Sequence, residues 1–358
     1  MRQFFLTLLA FAGISCQHPG LPKAPSSASK VRTLSSTTSR VPYHTPYGDD
    51  QYATYLQQRF SRYLGKFPTK LEKKPASFPL AENIPPVLQP EVAQWIHYFK
   101  TKANRSLRQW LVRGDAIAST IIPILEAQGL PSELFYVAMI ESGFDNHACS
   151  PRQAGGPWQL IGATARLHGL EMTPWVDERR DPVKATMAAV VYWKKLYQQF
   201  GDWNLAIAAY NSGPRTIQDL LRKTTPEKFW TYSKGKVKRE TREFVPKALA
   251  AILIGLNPEA YGIRVERDPT LAFPLHYAYF PTPTSLPQIS RDYGIPLAKL
   301  RYWNPELIHG KTPPQPPFLL PGYPVRLPKK IIQTSALPLL RQQSARKDLP
   351  ALQVFKRI

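Results

Sequence analysis

Cysteine is scarce in this sequence, because its 358 residues contain only 2. Two cysteines cannot build a disulfide framework or a four-cysteine zinc site. Long hydrophobic runs are also missing: no apolar stretch approaches the roughly 18 residues that a membrane-spanning helix needs, so an integral membrane protein is not expected. Apolar residues are nevertheless plentiful, at 43% of the chain with 11% aromatics, which excludes wholesale disorder.

Acidic residues are few as well, 25 against 47 lysines and arginines, giving a formal charge of +22. Such a balance favours an anionic partner, which could be nucleic acid, an acidic membrane surface or an acidic polymer. Charge alone does not choose among these. No recognised nucleic-acid-binding motif occurs, so no nucleic acid is expected as a partner. The 37 prolines against 19 glycines suggest stiff linkers between folded parts.

The first residues have the layout of an export signal. Arg2 precedes the short apolar stretch Phe4–Ile14, and small residues follow up to Cys16. Residues 1–16 resemble a bacterial lipoprotein signal, in which Cys16 would be lipidated, although Gly13 departs from the usual pattern. The resemblance implies an exported, periplasmic protein held at the outer membrane by a lipid anchor. The alternatives are an ordinary cleaved signal or a buried N-terminal helix.

The next stretches carry no assignable chemistry. Residues 17–45 are rich in Ser, Thr, Pro, Lys and Arg without a hydrophobic period, which predicts a flexible basic linker. Residues 46–91, rich first in tyrosine and then in proline, are predicted to form an N-terminal arm or subdomain.

From about Val92 to Pro258 the pattern becomes helical. Gly129-Leu130-Pro131 is predicted to end one helix and begin another, since Gly suits a C-terminal cap and Pro a first turn. Asp181-Pro182 is predicted to open a helix that runs to about Phe200 and ends at Gly201. Further helices are predicted over Trp203–Asn211, Ile217–Arg222 and Glu243–Leu256. A mainly α domain follows.

One carboxylate is oddly placed within this helical region. In the predicted helix from Pro131 to Ser142, Leu134, Val137 and Ala138 share one face with Glu141. A carboxyl group forced toward a core favours its protonated form, so its pKa rises. A Glu that is neutral near neutral pH is what general-acid catalysis requires. The alternative is that Glu141 turns outward at the helix end and pairs with an arginine.

Polar and aromatic residues around Glu141 suggest a carbohydrate cleft. Ser150 lies nine residues after Glu141, and the glycine-rich loop that follows carries Trp158, suited to a flat ligand ring, and then Gln159. Farther on, a predicted helix ends in Tyr210-Asn211. Glycine-rich turns and helix-end asparagines are also common for purely structural reasons.

Four motifs in register resemble a known family. They are Leu130–Leu134, Ile140–Phe144, Gly156–Gln159 and Ala208–Gly213, and the stretches Trp175–Pro182 and Arg239–Lys247 fit as well. Together they resemble the soluble-lytic-transglycosylase-like, or goose-lysozyme-like, domain. The resemblance covers roughly Val92 to Tyr261 and implies a mainly α, lysozyme-like catalytic domain over residues 92–262.

The resemblance implies cleavage of the β-1,4 bond between N-acetylmuramic acid and N-acetylglucosamine in peptidoglycan, leaving 1,6-anhydromuramyl ends. Glu141 would be the sole catalytic acid and base. Ser150 and Gln159 would position the substrate or the acid, and Tyr210 and Asn211 would line the cleft. Phe244 departs from the family, which usually has a tyrosine there with its hydroxyl near the acid.

A second module is predicted over residues 274–328. Its predicted helix pair and the turn at Asn304-Pro305 resemble a LysM module, a small βααβ fold that binds glycans containing N-acetylglucosamine. The opening at Tyr277–Pro283 lacks the Lys-Gly-Asp that usually precedes the first helix, so a purely structural role is the alternative. The last residues, 329–358, are predicted to be a loosely ordered basic tail.

Other readings remain open. One alternative is a catalytically weak, peptidoglycan-binding scaffold protein, which is suggested by Phe244 and by the departures of the second module from the LysM pattern. Another is a hydrolytic muramidase, which would need a second acid, and Asp145 is the nearest candidate. Asp145 more simply caps its loop. No cofactor is expected, and no metal, since His147 and His168 lack a third ligand at a recognisable spacing. The expected partners are peptidoglycan strands and, through Cys16, a membrane.

Overall fold

The structure is a computed structural model that describes residues 49–65, 90–222, 238–266, 268–272, 276–315, 317, 320 and 322–328. These residues are mainly helical, as predicted. No helix in this part of the chain is long and apolar enough to cross a bilayer. The predicted signal with Cys16, the linker over 17–45 and the basic tail over 329–358 lie outside the described residues.

Eleven helices and two strands are described in these ranges. The helices are α1 Asp49–Leu64, α2 Pro90–Thr101, α3 Asn104–Ala127, α4 Phe135–Ser142, α5 Gly162–Leu167, α6 Pro182–Phe200, α7 Trp203–Ser212, α8 Pro214–Arg222, α9 Arg239–Leu256, α10 Leu286–Tyr293 and α11 Leu297–Trp303. The strands are β1 Tyr277–Phe280 and β2 Tyr323–Arg326. Short 3₁₀ turns at Ser132–Leu134 and Glu178–Arg180 precede α4 and α6.

The chain divides into two compact units. In the described part of the chain, the first unit contains the residues from Leu56 to Ala272 and Pro305–Ile308. The second unit contains the residues from Asp49 to Tyr55, from His276 to Asn304, and from His309 onward.

Helix α6 is the buried centre of the first unit, and every residue from Pro182 to Lys194 is buried. The sequence-based prediction of its ends is confirmed. The Asp181 side chain accepts hydrogen bonds from the backbone N–H groups of Val183 and Lys184, and Gly201 ends the helix with a φ of 65°. An N-cap carboxylate satisfies amides that would otherwise lack partners, and glycine adopts the left-handed conformation at low cost.

Helix α4 is short and largely apolar, and it packs between α3 and α9. It ends at Gly143, which has a φ of 62° and whose N–H donates to the carbonyl of Met139. A side chain at Gly143 would overlap the indole of Trp110 on α3. The two helices therefore approach closely just beyond Glu141, and this fixes where the last turn of α4 lies.

The second unit contains a two-stranded antiparallel sheet whose strands enclose α10 and α11 in the order β1-α10-α11-β2. Tyr277 pairs with Arg326 at one end and Phe280 with Tyr323 at the other. The buried Asn304 joins the helix pair to the sheet, because its side chain accepts from the N–H of Arg326 at 2.7 Å and donates to the carbonyl of Leu300 at 2.9 Å.

The C-terminal part of α1 belongs to the first unit and is fixed there by Arg59. This guanidinium donates to both carboxyl oxygens of Glu178, at 2.8 and 2.6 Å, and to the carbonyl of Gly169 at 2.8 Å. The ammonium of Lys184 is a second cation at this carboxylate, since its Nζ donates to Oε1 of Glu178 at 2.8 Å. Burial alone would raise the pKa of Glu178, but Lys184 and Arg59 outweigh it, so the pKa lies at about 2.

Candidate active site

Glu141 lies in the last turn of α4, at the end of the predicted apolar face. Leu134, Val137 and Ala138 are completely buried, while Glu141 is half-buried. The carboxyl therefore continues the stripe toward the interior, as the spacing predicts. It also lies at the C-terminal end of a helix, where the partial negative charge of the helix dipole disfavours a carboxylate. Both features favour the protonated acid.

The electrostatic surroundings agree with this placement. Burial raises the pKa of Glu141 to about 8; Lys247 opposes the shift and Glu240 adds to it. The prediction that this pKa is raised is thus confirmed. Among the described residues no ion pair includes Glu141, so the outward-turned alternative, in which it pairs with an arginine, does not hold. A carboxyl of this kind holds its proton at neutral pH.

Helix α9 supplies one wall beside Glu141. Glu240, Phe244 and Lys247 recur at intervals of four and three, which places them on one face of α9. Phe244 is 7% exposed and brings no hydroxyl to this face. Lys247 is 8% exposed, its Nζ lies 5.8 Å from the ring centre of Trp95, and burial lowers its pKa to about 8 although Glu141 and Glu243 oppose that shift.

The loop after α4 is shaped by its own polar groups. The hydroxyl of Ser150 accepts from the N–H of Ala154 at 3.0 Å, and the N–H of Ser150 donates to the carbonyl of Ala154 at 2.9 Å. Gln159, with a φ of 47°, donates from Nε2 to the carbonyls of Gly156 and Ala148 at 2.9 and 3.2 Å. Ser150 and Gln159 are both half-buried, so each is held in place while part of its surface stays open.

The prediction that Trp158 faces a ligand is wrong. Its side chain is completely buried, and its Nε1 donates to the hydroxyl of Thr186 on α6 at 2.9 Å. An indole with no accessible surface cannot stack on a sugar ring. Trp158 instead contributes its backbone, because its carbonyl accepts a 2.6 Å hydrogen bond from the hydroxyl of Tyr210.

Tyr210 and Asn211 end α7 with half-buried side chains. The ring of Tyr210 stacks on Trp193 at 4.3 Å with an interplanar angle of 8°. Burial raises the pKa of Tyr210 well above its ordinary value, and the charges of Glu141 and Tyr192 raise it further. Asn211 accepts from the hydroxyl of Thr241 on α9 at 3.0 Å. Tyr210 thus lies within electrostatic range of Glu141, and Asn211 joins α7 to the wall formed by α9.

Asp145, the nearest candidate for a second acid, forms a hydrogen bond within its own loop. Its Oδ1 accepts from the N–H of His147 at 2.9 Å, and its Oδ2 lies 3.9 Å from Arg113. This is the capping role that the sequence favours. Within the described residues no group of three or more His, Cys, Asp or Glu side chains could hold a metal ion. The arrangement offers acid–base chemistry by one carboxyl group.

Comparison with known proteins shows which family this chain resembles. Residues 122–233 match the family model described as Transglycosylase SLT domain. The chain is 34% identical over 215 residues to the membrane-bound lytic murein transglycosylase D of Escherichia coli strain K12, a match covering 58% of this chain and 46% of that protein. The resemblance to the lytic transglycosylases is confirmed.

Two further matches are partial. A putative tributyltin chloride resistance protein of Alteromonas sp. strain M-1 is 38% identical over 119 residues, covering 32% of this chain and 58% of that protein. A solved lytic transglycosylase from Pseudomonas aeruginosa aligns with a TM-score of 0.36 and 26% identity, over 40% of this chain and 24% of that chain. This chain spans about half the length of the curated relatives that it matches.

The SLT match includes Glu141, the loop and the end of α7 but stops before α9. Sequence reasoning missed Glu240 and Lys247, which lie about 100 residues after Glu141. One signal was available: Lys247 interrupts the apolar run of α9, where a lysine is unusual. Nothing local indicated that this lysine lies near Glu141.

Proposed function

We propose that this chain is a peptidoglycan lytic transglycosylase in which Glu141 acts first as acid and then as base. The observation that carries the proposal is a half-buried carboxyl with a pKa of about 8, within residues that match the SLT domain. An acid that keeps its proton at neutral pH can deliver it to a glycosidic oxygen, which is a poor leaving group until it is protonated.

In the first step Glu141 donates its proton to the oxygen between muramyl C1 and the N-acetylglucosamine unit. The C1–O bond breaks, the N-acetylglucosamine end leaves as an alcohol, and positive charge develops at C1. Glu141 is then a carboxylate in a partly desolvated place. The ammonium of Lys247 supports that negative charge, in keeping with its opposition to the raised pKa of Glu141.

In the second step the carboxylate of Glu141 takes the proton of the muramyl C6 hydroxyl. The C6 oxygen bonds to C1, which closes the 1,6-anhydro ring and returns Glu141 to its acid form. No water is consumed, and the substrate supplies the nucleophile. One carboxyl is therefore enough, whereas most glycosidases need a second for water activation or covalent capture. The engagement of Asp145 in its own loop favours this route over hydrolysis.

Substrate positioning is proposed for Ser150, Gln159, Tyr210 and Asn211. Gln159 uses Nε2 on backbone carbonyls, and no hydrogen bond among the described residues involves its Oε1. That oxygen can accept from the N–H of an acetamido group. Asn211 uses Oδ1 on Thr241, which leaves its amide hydrogens available to an acetamido carbonyl. An N-acetyl group presents one donor and one acceptor, and the two amides match that pair.

The second unit is proposed to bind glycan chains. Its order β1-α10-α11-β2 and antiparallel strand pair support the LysM resemblance. A purely structural role is the competing proposal, because the residues before the first helix depart from the LysM pattern. Binding of the full-length Glu141→Gln variant to sacculi would be measured with and without N-acetylglucosamine oligomers as competitors.

Attachment to the outer membrane through Cys16 is proposed from the signal and from the relative that is called membrane-bound. The chain has two cysteines, Cys16 and Cys149. A sulfur that carries a lipid thioether cannot also form a disulfide, so lipidation of Cys16 excludes a bond between the two. Mass spectrometry of the mature N-terminal peptide distinguishes a lipid-bearing Cys16 from an unmodified or disulfide-bonded one.

Digestion of purified sacculi tests the catalytic proposal. We expect the wild-type protein to release anhydromuropeptides, and Glu141→Gln to release none while still binding sacculi. Reducing-end products would show a hydrolytic muramidase. No release with retained sacculus binding would show a scaffold, the reading that Phe244 favours. Retention on DNA but not on sacculi would remove peptidoglycan as the partner.

A further inference from the structure

The loop that carries Ser150 and Gln159 is held from behind by a buried arginine. Arg179 is 4% exposed and belongs to the 3₁₀ turn before α6. Its Nε and Nη2 donate to Oδ1 and Oδ2 of the completely buried Asp177, at 2.9 and 2.8 Å. A bidentate pair of this kind fixes the plane of the guanidinium as well as its charge.

The remaining nitrogen of Arg179 contacts the loop on both sides of its two glycines. Nη1 donates to the carbonyl of Gln153 at 2.6 Å and to the carbonyl of Leu160 at 3.3 Å. Gln153 lies just before the two glycines of the loop, and Leu160 lies just after Gln159. One planar group therefore connects two backbone points, Gln153 and Leu160, within the loop proposed to contact substrate.

The loop backbone needs such support. Gln153 and Gln159 have φ values of 60° and 47°, a region that non-glycine residues rarely adopt. Conformations of this kind persist only where the surroundings enforce them. At Gly156 a Cβ would overlap the backbone carbonyl oxygen of Arg179, so the loop lies directly on the turn that carries the arginine.

We infer that Arg179, fixed by Asp177, is a positioning residue that sets the geometry of the loop bearing Ser150 and Gln159 against Glu141. The inference rests on the proposed transglycosylase function for its effect on catalysis. Arg179 has no described contact with Glu141 and acts through the loop. Its guanidinium is needed because an ammonium group cannot make the two bonds to Asp177 and both carbonyl bonds in one plane.

The matched pair for the test is Arg179→Lys and Lys184→Met. Lys184 is an equally buried cation in a neighbouring ion pair, with Glu178, and none of its described hydrogen bonds reaches the loop. Both variants weaken a buried ion pair, so both are expected to melt at lower temperature. Each would be assayed well below its own melting temperature, with circular dichroism confirming the fold.

Turnover on sacculi is the first readout. We expect Arg179→Lys to lower kcat at least tenfold, since small misplacements of substrate-contacting groups cost factors of roughly 10 to 100. Lys184→Met is expected to keep turnover within about twofold of wild type. Turnover of Arg179→Lys within twofold of wild type would overturn the inference, as would an equal loss in the two variants.

Hydrogen exchange is the second readout and does not depend on activity. The amides of Gly155 and Gly156 donate to the carbonyls of Leu160 and Ala148. We expect exchange in the peptide over 150–160 to accelerate in Arg179→Lys and to stay as in wild type in Lys184→Met. Unchanged exchange in Arg179→Lys would overturn the inference even if the wild-type protein proved inactive. Inactivity of the wild type would instead count against the proposed function alone.

Discussion

The hydroxyl of Tyr210 donates a 2.6 Å hydrogen bond to the backbone carbonyl of Trp158. This bond joins the end of α7 to the glycine-rich loop, and it occupies the phenol proton that would otherwise be available beside Glu141. We therefore propose that Tyr210 acts mainly by holding this loop, and not by donating its proton to substrate.

Removing that hydroxyl tests its role. We expect Tyr210→Phe to lower the free energy of unfolding by about 1 kcal/mol, because the carbonyl of Trp158 loses its partner, and to slow turnover several-fold. Tyr192→Phe is the matched control, since its ring lies 5.3 Å from that of Tyr210 and no described hydrogen bond uses its hydroxyl. Thermal melts and sacculus digestion measure both effects. Identical behaviour of the two variants would contradict the assignment.

The sequence predicts the parts of this site that depend on neighbours along the chain. The limits of α6 follow from Asp181, Pro182 and Gly201, which cap the helix through local hydrogen bonds and backbone conformation. The inward placement of Glu141 follows from helical spacing in the same way.

The parts that the sequence does not predict depend on distant residues. Trp158 follows two glycines whether it faces a groove or the core, and its burial is decided by Thr186, 28 residues away on α6. The charge environment of Glu141 is set by Glu240 and Lys247, which approach only when α9 packs on α4. No local pattern contains that information.

The pH dependence of turnover tests the charges around Glu141. Because the acid must be protonated, turnover should fall as pH rises through about 8. Lys247→Met removes the charge that lowers the pKa of Glu141, so the descending limb should move to higher pH. Glu240→Gln removes a charge that raises it, so the limb should move to lower pH. Glu126→Gln, an exposed carboxylate on α3, is the control and should leave the limb in place.

The prediction is strict because Lys247→Met and Glu240→Gln should move the descending limb in opposite directions. Two shifts in the same direction would show that the limb belongs to another group. A limb that stays fixed in both variants would show that Glu141 is not the acid whose titration controls turnover.

The raised pKa of Glu141 also predicts a pH-dependent stability. Between pH 4.5 and about 8 the folded protein holds a proton on Glu141 that the unfolded chain has released, so this group lowers stability as pH rises. Glu141→Gln removes that effect. Relative to wild type, the variant should gain about 3 kcal/mol in free energy of unfolding between pH 5 and pH 7.5. Urea denaturation at both pH values measures the difference, and a pH-independent difference would contradict the raised pKa.

The lowered pKa of Glu178 predicts the opposite pH dependence of stability, at acid pH. Its pKa of about 2 lies below its ordinary value, so its stabilising effect is present above pH 4.5 and is lost as pH falls through about 2. Glu178→Gln leaves Arg59 and Lys184 without their carboxylate and should cost about 3 kcal/mol at pH 7. The difference from wild type should shrink between pH 4.5 and pH 2.

Asp219→Asn provides the control for Glu178→Gln. Its ion pairs on α8 are exposed, with Arg215 and Arg222 at 3.9 and 3.7 Å, so the substitution should change stability by less than about 0.5 kcal/mol. Denaturant titrations at pH 7 compare the two directly. Equal effects would show that the buried pair of Glu178 contributes no more than a surface pair.

The most direct test of single-carboxyl catalysis is digestion of sacculi in heavy-oxygen water, followed by mass spectrometry of the released muropeptides. Ring closure by the C6 hydroxyl predicts products that lack one water relative to reducing-end fragments and carry no heavy oxygen, with release abolished by Glu141→Gln. Heavy oxygen at muramyl C1 would show that water attacks the sugar, and would contradict the account.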